Sequence, residues 1–294
     1  MKIIISGGTG FIGSRIVEQL LQGGHTVGVY SRRPGQEKRV AVHSFYWDPL
    51  TGEPPLESLN NWDAVIHLAG EPVAQRWNAA VKQRIRDSRV LGTRRLVDAI
   101  ARVPHPPKAL ISASAIGIYG DRGDEILTED SKPGQGFLVE TCLDWEAEAD
   151  RAADFGLRVA KLRIGFVLGK ESGALAQMLP VFKLGLGGNL GSGKQWMPWI
   201  HVDDVANSFV HAALHPVHGV WNAVAPNPVT NAEFTKELAR ACGRWTFLPV
   251  PPFALKIMFG ELAQHMLDSA RVIPRPGLPN QYPDLRSALV AIQV

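Results

Sequence analysis

Apolar residues in the first half of the chain fall into short β-branched runs separated by longer stretches of helical period. Lys2–Ser6 reads as a buried strand, Phe11–Gln22 as a helix and Thr26–Tyr30 as a second strand. Further strands are expected at Val42–Tyr46, Ala64–Leu68, Ala109–Ala113 and Leu157–Ile164, with helices within Asn78–Arg102 and over Leu138–Phe155. Strands alternating with helices imply a parallel sheet covered on both faces, and right-handed crossovers make it doubly wound. After Gly169 the texture changes. Lys183–Lys194 is glycine-rich and reads as a loop, Asp203–Leu214 as a helix and Gly219–Ala223 as a strand. Thr230 with Glu233 forms a capping box that opens a helix ending at Gly243. The expected organisation is a nucleotide-binding α/β domain over residues 1–168, to which segments around 199–224 return, and a smaller substrate lobe over 169–294.

Composition narrows the class. With 45% hydrophobic and 20% charged residues in 294, the chain is an ordinary globular protein with enough length for a substantial core. Lys+Arg 31 against Asp+Glu 28 leaves +3, too balanced for a dedicated nucleic-acid binder. Two cysteines, Cys142 and Cys242, cannot build a disulfide framework, so a reducing compartment is expected. No apolar run approaches a membrane span, and Met1–Ile5 runs into glycines without a signal-peptide pattern. A cytoplasmic protein, monomeric or homodimeric, with a small-molecule substrate and neither nucleic-acid nor membrane partners is the expectation.

The strongest chemical signal is Gly7-Gly8-Thr9-Gly10-Phe11-Ile12-Gly13, a G-x-x-G-x-x-G spacing directly after the first strand and opening the first helix. The first glycine permits a tight turn. A backbone without Cβ lets a pyrophosphate approach, and the last glycine lets helix and sheet pack closely. The helix N-terminus then presents amide hydrogens to the phosphates. Thr9 in the loop and Phe11 and Ile12 at the start of the helix belong to the same cofactor-binding segment. Binders of NAD carry an acid at the end of the second strand, where this chain has Tyr30-Ser31-Arg32-Arg33. A guanidinium there pairs with a 2′-phosphate, so NADP(H) is the expected cofactor. The alternative is that Arg32 and Arg33 are a solvated pair.

These residues carry a resemblance. Ser6–Gly13, Asp63-Ala64-Val65-Ile66-His67-Leu68-Ala69-Gly70 and Trp199-Ile200-His201-Val202-Asp203-Asp204 resemble the extended short-chain dehydrogenase/reductase (NAD-dependent epimerase/dehydratase) superfamily. Ala69-Gly70-Glu71-Pro72, Arg76-Trp77, Ser88-Arg89-Val90, Gly185–Gly193 and Tyr282-Pro283-Asp284-Leu285 are similar to one branch of it. Its members are described as sugar-nucleotide epimerases or cell-division-inhibitor-like proteins, and they carry a C-terminal domain of unknown function. The resemblance implies a Rossmann fold. It also implies cofactor contacts from Ser31 and Arg32, from Leu68, Ala69 and Gly70 after the fourth strand, from Arg89, and from Val167.

The superfamily's acid/base pair is Tyr-x-x-x-Lys. Anchoring its helix on Glu146 places Leu138 at the Tyr and Cys142 at the Lys; shifting by one gives Phe137 and Thr141. Neither register supplies the chemistry. Ser114 resembles the superfamily serine, and Tyr119 is a candidate substitute acid, although a packed aromatic is the simpler reading of it. Glu71 and Arg76 follow a strand's C-terminal end, where substrates bind in open α/β sheets, and are the substrate candidates. His201 is expected to be structural, with Asp203 or Asp204 as a helix N-cap, and no other histidine pair is taken to have ligand spacing, so no metal is expected. The functional expectation is an NADP(H)-binding oxidoreductase or epimerase-like enzyme acting on a small polar or nucleotide-linked substrate. The alternative is a non-catalytic NADP(H)-binding sensor or partner-binding protein.

Overall fold

A computed structural model describes residues 1–35, 42–245 and 249–294. Seven parallel strands form the central sheet: β1 (Lys2–Ser6), β2 (Thr26–Ser31), β3 (Val42–Tyr46), β4 (Ala64–His67), β5 (Ala109–Ala115), β6 (Arg158–Ile164) and β7 (Gly219–Ala223). Their order is β7-β6-β5-β4-β1-β2-β3. The winding direction reverses between β1 and β4, and the crevice at the C-terminal ends of these two strands is where such sheets bind ligands. Ser6, the last residue of β1, is in register with Tyr30 of β2 and with His67 of β4.

The two faces are closed by different helices. Helices α1 (Phe11–Gln22) and α5 (Val202–Leu214) pack on one side, burying Ile16, Leu20, Val205 and Phe209 against Ile3, Ile5 and Ile66. Helices α2 (Ala79–Ile100) and α3 (Phe137–Asp150) cover the other, where Leu96, Val97, Ala149 and Leu157 meet Ile4 and Val65. Ile3, Ile4 and Ile5 are each fully buried, and burying an isoleucine contributes about 1.5–3 kcal/mol. The continuous apolar run of β1 is therefore what a central strand covered on both faces requires.

Several ends differ from the pattern-based expectation. The sequence suggests helix over Leu138–Phe155. The α-helix stops at Asp150, a 3₁₀ turn spans Arg151–Phe155, and Gly156 ends it in the left-handed region at φ 81°. Helix α5 begins at Val202, and its cap is neither aspartate. The His201 imidazole Nδ1 accepts the Asp203 amide at 3.1 Å, because Asp203 and Asp204 already lie in the first turn. The expected capping box is present, with the Thr230 Oγ1 accepting the Glu233 amide at 3.3 Å and Glu233 accepting the Thr230 amide at 2.7 Å.

Beyond the sheet, α4 (Gly173–Lys183), α6 (Asn231–Ala241) and α9 (Leu285–Ile292) enclose a separate core of Leu175, Phe182, Trp199, Phe234 and Leu289. Two short helices, α7 (Pro252–Phe259) and α8 (Leu262–His265), lead back over the sheet's C-terminal edge, where the Phe259 carbonyl accepts the Trp77 amide at 3.1 Å.

Candidate active site

The turn after β1 is shaped by absent side chains. Gly7 has φ 74°, and a Cβ on it would lie 3.0 Å from the Ala69 amide nitrogen. The turn is thus pressed against the end of β4. A Cβ on Gly13 would sit 2.1 Å from the Gly7 carbonyl oxygen, which no packing can absorb. The Gly10 amide donates to Gly7 O at 2.9 Å and Gly10 is the N-cap of α1 with no side-chain cap. The first amides of α1 are therefore available to an anion. Thr9 and Gly10 are exposed at this mouth, and Phe11 and Ile12 are half-buried behind it.

A polar relay fixes the two strand ends relative to each other. Ser6 Oγ accepts the amides of Leu68 and Ala69, both at 3.2 Å. Its own proton therefore goes to His67 Nδ1 at 2.6 Å. Nδ1 being the acceptor, Nε2 carries the imidazole hydrogen and donates to Thr93 Oγ1 at 3.0 Å. Burial, with the Arg89 charge adding to it, lowers the His67 pKa to about 3, so this imidazole is neutral across the physiological range. Ser6, His67 and Thr93 form a buried relay that reading the sequence did not single out. The available signal was a lone polar residue closing each of two otherwise apolar strands.

Arg89 projects from α2 beneath the loop after β4. Its Nη1 donates to the carbonyls of Glu71 at 3.0 Å and Ile85 at 3.2 Å, and its guanidinium lies 5.3 Å from the Trp145 ring centre. A Cβ on Gly70 would come within 3.2 Å of that guanidinium, so loop and arginine are in close contact. Val167 lies in a short strand, Phe166–Leu168, pairing with Trp199–His201. The Phe11 ring closes on Gly169, whose hypothetical Cβ would be 2.5 Å away. At the end of β2, Ser31 Oγ accepts the Arg33 amide at 3.0 Å. Arg32 and Arg33 are both exposed, and no acidic residue follows β2 before them. The glycine turn is pressed against Leu68 and Ala69, Arg89 lies against Gly70, and Ser31 closes the neighbouring strand β2. Their backbone fits a dinucleotide, with close approach at Gly10 and uncapped amides beyond it.

The expected catalytic group is placed differently. Ser114 ends β5 nearly buried, and its hydroxyl donates to Glu146 Oε1 at 2.6 Å. Arg163 Nε and Nη2 donate to the two Glu146 oxygens at 2.8 and 3.0 Å. Tyr119 is fully buried. Its hydroxyl is shared between Asn222 Oδ1 at 2.7 Å and the Thr128 carbonyl at 3.0 Å, and it accepts from Arg163 at 3.0 Å. Burial raises its pKa despite the arginine. Tyr119 is therefore a strut joining the chain near β5 to β6 and β7, and the expectation of a substitute acid there is corrected. Leu138 packs against the turn at Gly117, and Cys142 is buried with its thiol pushed up to about 12. Neither group moves a proton near neutral pH.

Of the substrate candidates, Glu71 accepts from Gln75 at 3.0 Å and faces Arg84 at 3.5 Å, while its amide donates to Ser88 Oγ at 2.9 Å. Arg76 is exposed and does not meet Glu71; among the described residues it forms no ion pair. Trp77 next to it is packed, edge-on to Phe137 at 5.6 Å and against His265 at 5.3 Å.

Residues 3–224 match the NAD dependent epimerase/dehydratase family. The chain belongs to that family. It is 38% identical over 301 residues to the chloroplastic "Epimerase family protein SDR39U1 homolog" of Arabidopsis thaliana, covering 99% of this chain and 86% of that protein. The crystal structure of human epimerase family protein SDR39U1 (isoform 2) with NADPH is similar at TM-score 0.88 and 36% identity, covering 100% of this chain and 99% of that one. The nucleoside-diphosphate sugar epimerase from Corynebacterium glutamicum is similar at TM-score 0.78 and 36% identity, covering 100% of this chain and 58% of that one. As an epimerase/dehydratase family member the chain has the family's α/β sheet, and no described helix is long and apolar enough to cross a membrane.

Proposed function

We propose that the protein is an NADP(H)-dependent oxidoreductase or epimerase-like enzyme acting on a small polar, nucleotide-linked substrate. The observation that carries this reading is the pairing of the glycine turn, where Gly13 admits no Cβ, with Arg32 exposed at the end of the adjacent strand and no acid beside it. The human relative crystallised with NADPH supports the coenzyme. In this reading residues 1–168, with 199–224, hold the coenzyme, and the remainder of 169–294 forms the substrate lobe.

The α1 amides and Gly10 receive the pyrophosphate, and Arg32 with Ser31 receives the 2′-phosphate. Leu68–Gly70 and Val167 wall the coenzyme, and Arg89 holds the loop between them. The bound nicotinamide supplies or accepts a hydride. With the Ser114 proton given to Glu146, the serine oxygen is left as an acceptor, suited to a substrate hydroxyl. A reducing, cytoplasmic setting belongs to the same reading, supported by the free cysteines Cys142 and Cys242. The Arabidopsis relative's name places that protein in the chloroplast.

A second reading, a coenzyme-binding sensor without turnover, is favoured by one observation. Leu138 and Cys142 stand where an acid/base pair would, and the thiol is held protonated. Calorimetry with NADPH and NADH, followed by coenzyme oxidation against carbonyl compounds and nucleotide sugars, separates the two. NADPH binding with turnover supports the enzyme, and NADPH binding without turnover across the screen supports the sensor. Equal affinity for both coenzymes removes the NADP(H) assignment.

A further inference from the structure

On the face of α5 turned away from the sheet lies a shallow cavity of about 490 Å³ lined by Asn207, Val210, His211, Leu214, His215 and the segment Pro279–Gln281. His211 lies in the last turn of α5 and His215, four residues on, is its C-cap, where the backbone leaves the helix while its amide still donates to the His211 carbonyl at 2.9 Å. Their ring centres are 4.3 Å apart at an interplanar angle of 32°. Two imidazoles bound cis to one ion at roughly 2.0–2.1 Å bring their ring centres to roughly 4.5–5 Å. The ring separation is therefore close to the span that one shared ion imposes. Among the described residues no hydrogen bond or ion pair engages either imidazole. Asn207 lies one turn before His211, and Asn280 and Gln281 face it across the cavity.

The opposite wall is pinned. Gln281 and Tyr282 donate their amides to the two oxygens of Asp204 at 2.8 and 3.0 Å, and Asp204 is fully buried at the start of the same helix. The distance between α5 and residues 279–281 is thus set by the fold.

We propose that His211 and His215 form a binding site for a borderline divalent transition-metal ion, zinc(II) in the first instance, with water and the cavity's carboxamides completing the coordination. Imidazole nitrogen selects zinc, copper and nickel over magnesium and calcium, which prefer oxygen. Among the described residues no third His, Cys, Asp or Glu converges on the pair, so the site is a two-ligand one, open to solvent. This site is separate from the coenzyme crevice and does not depend on the reading of it.

The test is calorimetric titration of zinc chloride into the untagged, metal-stripped full chain. One site is expected, weakened at least tenfold in His211→Ala and in His215→Ala, and unchanged in His105→Ala. Thermal melts without zinc establish that the variants are folded, and His→Gln versions replace any that are not. Electron paramagnetic resonance of the copper(II)-loaded parent gives an independent readout, with two equatorial nitrogens expected. Absence of zinc binding, binding by either alanine variant as tight as the parent's, or a copper spectrum with fewer than two nitrogens overturns the proposal.

Discussion

Arg163 and Glu146 meet through two nearly parallel hydrogen bonds, 2.8 and 3.0 Å long, with both side chains about nine-tenths buried. The pair joins β6 to α3, and it also receives Ser114 on one side and Tyr119 on the other. Four elements of the C-terminal edge of the sheet therefore share one polar network. Breaking such a pair leaves an uncompensated charge and costs about 3–5 kcal/mol. Glu146→Ala should lower unfolding free energy by about that amount in urea titrations. A loss below about 1 kcal/mol would show that Arg163 finds another partner.

Coenzyme choice is expected to rest on Arg32. Arg32→Asp should weaken NADPH by about 1–3 kcal/mol, the range for a hydrogen bond to a charged group, with NADH changed far less. Calorimetry on parent and variant with both coenzymes checks this. If NADPH and NADH weaken together, the arginine supports the loop and not the 2′-phosphate.

Gly10 and Gly13 should respond differently to substitution although they belong to one motif. A Cβ at Gly10 meets only the Gly7 carbonyl at 3.2 Å, while one at Gly13 lies 2.1 Å from the same oxygen. Gly10→Val is expected to abolish coenzyme binding with the melting temperature little changed, since its side chain enters the phosphate path. Gly13→Ala is expected to lower the melting temperature as well. Normal NADPH binding by Gly10→Val would move the phosphate site elsewhere.

The contrast between these positions bears on what a sequence discloses. Ile3–Ile5, Gly7, Gly10 and Gly13 were legible because their meaning is local: strand, turn and helix start follow one another within 13 residues. The Ser6–His67–Thr93 relay was not, because its members lie 61 and 26 residues apart and only the parallel register brings them together. The packing of Tyr119, the simpler reading of it, lacked named partners for the same reason. Beside Gly120 it reads as a loop residue, and its burial depends on Asn222, 103 residues later. The charges of Lys161 and Arg163 between the apolar residues of β6 were a visible signal of a buried ion pair, and Glu146, treated only as an anchor for alignment, was its other half. His211 and His215 have their spacing in plain view, but the wall opposite them comes from residues 279–281.

Stability should depend on pH through His67. Its folded pKa of about 3 lies below the ordinary 6.5, so the unfolded chain binds the proton more readily. The associated stability is fully present above pH 6.5 and is lost as pH falls toward 3. The slope approaches about 1.4 kcal/mol per pH unit once the unfolded imidazole is protonated. Denaturation free energies between pH 7.5 and 5 should show this decline, and His67→Gln should flatten it by one proton's worth. An unchanged slope in the variant would place the acid sensitivity in other groups.

Proton transfer is the last point at which structure and expectation can be separated by kinetics. Ser114 gives its hydrogen to Glu146, so its oxygen is oriented to accept from a substrate hydroxyl, and losing a positioned group of this kind costs roughly 10²–10⁴-fold in turnover. Cys142 is buried, with a thiol pushed up to about 12, and has no thiolate to offer. Ser114→Ala should therefore reduce kcat by up to that factor while leaving NADPH affinity unchanged, and Cys142→Ala should leave kcat within a few-fold of the parent. Steady-state kinetics with any substrate found in the carbonyl and nucleotide-sugar screen measures both. A folded Cys142→Ala protein without activity, beside a fully active Ser114→Ala protein, would mean that α3 and not the end of β5 carries the chemistry.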